Sequence, residues 1–89
     1  MKESQLQTKI KERLTKHGWF VVKLISTSCN GIPDLMCIRK GVVIMLEVKR
    51  EDGVLSELQK HRIEQLNKMG IFSRMVNCLE DIDVHCYQN

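Results

Sequence analysis

No stretch of the chain approaches the ~20 consecutive apolar residues that span a bilayer, and the N-terminus carries no apolar signal segment. These absences argue against a membrane protein, and a cytoplasmic location is expected. The four cysteines, Cys29, Cys37, Cys78 and Cys86, include no CxxC pair. Cys37 lies in an apolar run and reads as a small buried hydrophobe, so a reduced protein is expected. Cys78, His85 and Cys86 match none of the common zinc-ligand spacings, which disfavours a zinc site there. Proline is nearly missing, with one residue beside five glycines. Internal repeats, low-complexity segments and linkers are missing altogether, which excludes fibrous, disordered and multidomain chains.

What remains is an ordinary globular mixture. At 89 residues the chain can enclose one core, so residues 1–89 are expected to form a single domain. Fourteen Lys and Arg against eleven Asp and Glu leave a net charge of +3. Several of the acids concentrate in one place, so the rest of the surface is more basic than the total, which permits a nucleic-acid partner.

From Ser4 to His17, Leu6, Ile10 and Leu14 recur every four positions before Gly18, which predicts an amphipathic helix. "WFVVKLI" (19–25) reads as a strand and "STSCNG" as a polar loop. Asp34–Ile38 and Val42–Lys49 are apolar runs around Arg39, Lys40 and Gly41, the pattern of a tight hairpin. A helix is predicted from Ser56 to about Met69, with Leu58, Ile63 and Leu66 facing the core and Gly70 closing it. "IFSRMV" follows as a fourth strand and "LEDIDVHCY" as a short helix or irregular tail. The order α-β-β-β-α-β, with a short C-terminal helix, predicts an α/β (α+β) fold in which helices flank a mixed sheet.

Two acids interrupt the apolar hairpin runs. With Lys40 and Gly41 at the centre of the turn, Arg39 pairs with Val42 and, counting outward, Asp34 comes to face Glu47. A three-residue turn would shift this register by one. Directly opposed side chains have Cβ atoms ~4.5–5.5 Å apart, so like charges there repel, and an apolar setting adds a desolvation cost of several kcal/mol. A divalent cation between the acids reverses the sign, because hard carboxylate oxygens are what Mg²⁺ takes. Such a site suits phosphodiester hydrolysis. Lys49, two residues beyond Glu47, projects to the same face, where an ammonium can orient the attacking water and offset developing charge. Simpler readings of the single residues exist: turn chemistry beside Pro33 for Asp34, and an exposed ion pair for Glu47 and Lys49.

Pro33-Asp34 followed by Glu47-Val48-Lys49 resembles the PD-(D/E)xK signature of metal-dependent nucleases with the restriction-endonuclease-like fold. With Glu3 opening the first helix, "GIPDL" (31–35), "EVK" (47–49) and "GVLSELQ" (53–59), the chain resembles the virus-type replication-repair nuclease (VRR-NUC) domain from Glu3 to about Asp81. The resemblance implies that Asp34, Glu47 and the backbone carbonyl of Val48 bind Mg²⁺, for which Mn²⁺ can substitute, and that Lys49 is the catalytic lysine. It places Glu3 and Gln59 beside the same site. It also implies branched or flapped DNA as substrate and, for compact versions, a homodimer like the Holliday junction resolvases. From the residues alone, an acid in a first turn also suits the helix dipole, and Ser56-x-x-Gln59 is also a capping box.

Lys23, Arg39, Lys40 and Arg50 are the candidate DNA contacts, with Lys9, Lys11, Arg13 and Lys16 on the first helix. Trp19 is the only tryptophan and no loop carries an aromatic cluster, so base stacking is not indicated. Symmetric cutting of a four-way junction needs two sites related by a two-fold axis, hence a C2 homodimer. The alternative is a non-catalytic DNA-binding adaptor with a nuclease fold, which would gain nothing from two facing acids.

Overall fold

The computed structural model describes residues 1–86; Tyr87, the last residue of the expected tail element, lies outside them. Along the chain come α1 (Glu3–Lys16), β1 (Phe20–Lys23), β2 (Leu35–Arg39), β3 (Val42–Val48), α2 (Glu57–Lys68) and β4 (Phe72–Val76). A 3-10 turn (Leu79–Ile82) then runs into α3 (Asp83–Cys86). The strands form one sheet in the order β1-β2-β3-β4. β1, β2 and β3 are antiparallel neighbours, while β4 runs parallel to β3, as the helical crossover through α2 requires. This is the mixed, helix-flanked sheet expected from the sequence.

Leu6, Ile10 and Leu14 form the buried stripe of α1. They close over one face of the sheet, where alternate residues Val21, Leu35, Cys37, Ile44, Leu46 and Val48 are buried, following the period-two pleat. Ile82 and Cys86 complete this core from the C-terminal segment. Trp19 ties that segment down, its Nε1 donating to the carbonyl of His85 at 3.2 Å. Burial pushes the Cys37 thiol up to about 12, as expected of a small hydrophobe and not a nucleophile. Leu46 is fully buried, so Leu46→Ala is expected to destabilise by ~2–5 kcal/mol, read as a lower urea midpoint at unchanged slope.

The hairpin between β2 and β3 turns on two residues. Lys40 and Gly41 both have positive φ, 50° and 79°, the requirement of the two-residue turn that matches strand twist. The register runs from Arg39↔Val42 through Leu35↔Leu46, which excludes a three-residue turn. β1 is shorter than the expected 19–25 span, but the pairing persists beyond it, Leu24 N–H donating to the Asp34 carbonyl at 2.7 Å.

The expected core role of Leu58, Ile63 and Leu66 is not observed. α2 has no buried residue: Leu58 is 42% exposed, and Ile63 and Leu66 are half-buried. α2 packs against β4, an edge strand, and lies outside the core cluster, so its apolar stripe is covered on one side only.

Candidate functional site

The acids stand at the open end of the hairpin, opposite its turn. Asp34 directly precedes β2 and Glu47 is the penultimate residue of β3, so continuing the observed register by one pair places them face to face. Asp34 is held at its backbone and its carboxylate: its carbonyl accepts from the Leu24 N–H just beyond β1, and its Oδ2 accepts from the Val48 N–H at 3.1 Å. Glu47 is only 3% exposed. Its pKa is pushed up to about 8, first by burial, then by a carboxyl–carboxyl hydrogen bond to Asp34 and by the Asp34 charge; Lys49 opposes the shift and Glu3 adds to it.

Lys49 projects to the side of Glu47, its Nζ 3.8 Å from Oε2 and its side chain 19% exposed. Val48 is buried between them in sequence and turns to the other face. Within a strand the N–H and C=O of one residue point to the same edge. Val48 donates its N–H to Asp34, so its carbonyl is directed to the Asp34 side as well. Among the described residues no group of three or more His, Cys, Asp or Glu gathers to hold a metal. A cation here would rest on two carboxylates and a backbone carbonyl, with most of its positions left to water and substrate oxygens. That donor set is hard and anionic, as Mg²⁺ requires, and the mutual repulsion that raises the Glu47 pKa is what a cation would relieve.

The other candidates are distributed unevenly. Glu3 opens α1 and is exposed, yet lies near enough to act on the charge of Glu47. Gln59 is engaged in capping: its N–H donates to Ser56 Oγ at 3.1 Å, and its Oε1 accepts from the Ser56 N–H at 2.9 Å. Lys23 pairs with Leu35 in the sheet and so stands next to Asp34. Arg50 follows Lys49 and pairs with Asp52 at 2.9 Å.

Arg39 and Lys40 do not rim the acids. They lie at the turn, roughly 20 Å of strand away, and Arg39 is committed to the fold. Its guanidinium sits 4.6 Å from the Trp19 ring centroid and donates to the His17 carbonyl at 3.0 Å. The apolar recess at that end, about 490 Å³ and bordered by Trp19, Val42, Phe72 and His85, is equally remote from the carboxylates. A polar recess of about 350 Å³ instead opens on Asp34 itself, lined by Ser26, Thr27 and Asn30 of the β1–β2 loop. The run of hydroxyl and amide side chains in "STSCNG", shortly before Pro33-Asp34, is the sequence signal for this recess.

A family model described as archaeal Holliday junction resolvase (hjc) matches residues 2–85. The chain belongs to the archaeal Holliday junction resolvase family. All five candidate catalytic positions, Glu3, Asp34, Glu47, Lys49 and Gln59, fall inside the resolvase match. A solved structure titled VRR_NUC domain is 29% identical, covers 99% of each chain and superposes with a TM-score of 0.85, which bears out the resemblance read from the motifs. The resolvase family and the VRR-NUC domain fall in the same PD-(D/E)xK nuclease superfamily, and the mixed sheet with three helices is its restriction-endonuclease-like fold. No curated protein matches the chain.

Proposed function

We propose that this resolvase-family chain, as a single domain, is an Mg²⁺-dependent, structure-selective DNA endonuclease that hydrolyses phosphodiester bonds in four-way junctions as a C2 homodimer. The observation that carries this reading is the buried Glu47 facing the half-buried Asp34, with Lys49 3.8 Å from Glu47. A hairpin needed only for stability would not oppose two carboxylates beside the core.

Asp34, Glu47 and the Val48 carbonyl are assigned to hold the cation, with Mn²⁺ able to replace Mg²⁺. When bound, the ion supplies Lewis-acid polarisation of the phosphate and lowers the pKa of coordinated water. Lys49 stands 3.8 Å from Glu47 with its side chain partly exposed, which suits an ammonium assigned to orient the attacking water and offset charge on the phosphate. Glu3 is assigned to the water shell of the site. Gln59 spends its Oε1 and backbone N–H on the cap, and its side-chain NH₂ is the group assigned to the site. Lys23 and Arg50, at the same end of the sheet, are the cations assigned to a DNA backbone.

Two matched cuts across a junction require two such sites, which supports the dimer; a cytoplasmic role in replication or repair is part of the same proposal. Labelled four-way junction, flap, fork and linear duplex should be incubated with Mg²⁺, Mn²⁺ or EDTA. Junction cleavage with either metal and none in EDTA is the expected outcome; metal-independent cutting overturns the assignment. Mg²⁺ should also raise the thermal midpoint, and no shift would favour the adaptor reading. A monomeric mass by light scattering at micromolar concentration, with junction cleavage intact, would refute the dimer.

A further inference from the structure

Asp34 is fixed to the sheet at its own backbone and carboxylate, but the loop 24–34 that delivers it has no regular secondary structure and is polar in its middle, from Ser26 to Asn30. That loop is clasped from outside by α2. Arg62 Nε donates to the Asn30 carbonyl at 2.8 Å, and a second guanidinium nitrogen, Nη1, donates to Gln65 Oε1 at 3.0 Å. The Gln65 bond sets the plane of the guanidinium, and the Asn30 bond uses it. Gly31 shows how closely the partners fit. Its φ is +81°, and a Cβ there would stand 2.8 Å from Leu58 Cγ and 3.2 Å from Arg62 Cγ, so loop backbone lies directly on the side chains of α2. From Gly31 only Ile32 and the fully buried Pro33 intervene before Asp34, and proline restricts both its own φ and the conformation of the residue before it. A displacement at Asn30 therefore has few torsions in which to dissipate before it reaches the Asp34 carboxylate.

We propose that Arg62 is a positioning residue for the metal site, acting through the Asn30 carbonyl to hold the Asp34 loop in its cation-binding geometry. This deepens the resolvase reading and rests on it. Arg62 follows Gln59 at i+3, so clasp and cap share one side of α2. The helix that covers so little of the core thereby has a second task, to brace the loop. Groups that orient a metal ligand without touching the ion typically change metal affinity or activity 10–100-fold. Here the effect should fall on affinity, because excess cation can draw Asp34 back into place.

The test uses the full chain and its Arg62→Ala, Arg62→Lys and Gln65→Ala variants. Mg²⁺ and Mn²⁺ are titrated against the thermal midpoint, which does not depend on turnover, and against junction cleavage. Arg62→Ala should require about tenfold more metal for half its effect in both assays, with cleavage at saturating metal and junction affinity near those of the unsubstituted chain. Arg62→Lys keeps a donor for Asn30 and should recover most of the loss. Gln65→Ala, which leaves the loop untouched, should shift the metal response the same way by a smaller factor. If Arg62→Ala is too unstable to assay, the Gln65→Ala and Arg62→Lys titrations decide the matter. Unchanged metal dependence in the variants, or a loss at saturating metal that Arg62→Lys does not restore, overturns the proposal alone. Should the unsubstituted chain show no metal response, the resolvase reading and this proposal fall together.

Discussion

Asp34→Asn is expected to reduce junction cleavage by on the order of 10³-fold or more, since losing several kcal/mol of charge stabilisation in the transition state corresponds to that factor. Asparagine is the sharper substitution than alanine. Asp34 Oδ2 accepts from the Val48 N–H, and the asparagine carbonyl oxygen can keep that bond while the charge is removed. Alanine would leave the Val48 N–H without this acceptor and mix a structural penalty with the chemical one. Junction affinity, carried by phosphate contacts at other side chains, should change by less than about threefold. The check is a gel assay of rate and binding on the same four-way junction. Undiminished cutting by Asp34→Asn would remove Asp34 from the site; lost binding along with lost cutting would move it from chemistry to substrate contact. Glu47→Gln should reproduce the loss of cutting.

The second large effect is on stability in the absence of metal. Glu47 has a folded-state pKa raised to about 8, above its ordinary value of 4.5. The folded protein therefore binds a proton that the unfolded chain releases, and the associated stability is fully present below about pH 4.5. It declines as pH rises and is lost through about pH 8, when the folded state must carry both carboxylate charges. At ~1.4 kcal/mol per pKa unit, several kcal/mol lie in this window. His85 works in the opposite direction: burial lowers its pKa, so its contribution grows as pH rises toward the ordinary histidine value and is complete above it. Subtracting the Glu47→Gln profile isolates the glutamate. Urea midpoints in EDTA from about pH 5 to pH 9 should fall more steeply for the unsubstituted chain than for Glu47→Gln, and the variant should be the more stable at the alkaline end. Saturating Mg²⁺ should flatten the slope of the unsubstituted chain, because the cation takes the place of the proton. Parallel profiles would mean that Glu47 is not held above its ordinary pKa in the folded state.

Much of the site was legible because it is written in local chemistry. The Lys40-Gly41 turn requires positive φ at both positions, and the pleat repeats every two residues. Together these carry the register from the turn out to Asp34 and Glu47 without reference to the rest of the chain. The same period puts Lys49 beside Glu47, and the four-residue spacing of Leu6, Ile10 and Leu14 identifies the buried side of α1. The family motif then added Glu3 and Gln59, whose alternative explanations, first-turn acid and capping glutamine, are also local. The capping half of that reading is visible at Ser56 and Gln59.

Sequence patterns stop where choice of partner begins. The apolar residues of α2 look like those of any core helix, but which strand the helix meets depends on how the crossover seats it, and it seats at the edge strand β4. Arg39 and Lys40 look like DNA-facing cations until the distance along the hairpin is measured and Arg39 is found over Trp19. The bond from Arg62 to Asn30 joins positions 32 apart, with no periodicity or turn signal to announce it. Nor does composition reveal that Glu47 is almost fully enclosed, which is what raises its pKa. Sequence alone was enough for the strands, the turn and the facing acids, because torsional preference and the strand pleat act between near neighbours. The placement of α2, the clasp on the Asp34 loop and the electrostatic state of Glu47 were decided only by packing, because they depend on groups far apart in the chain that meet when the core closes.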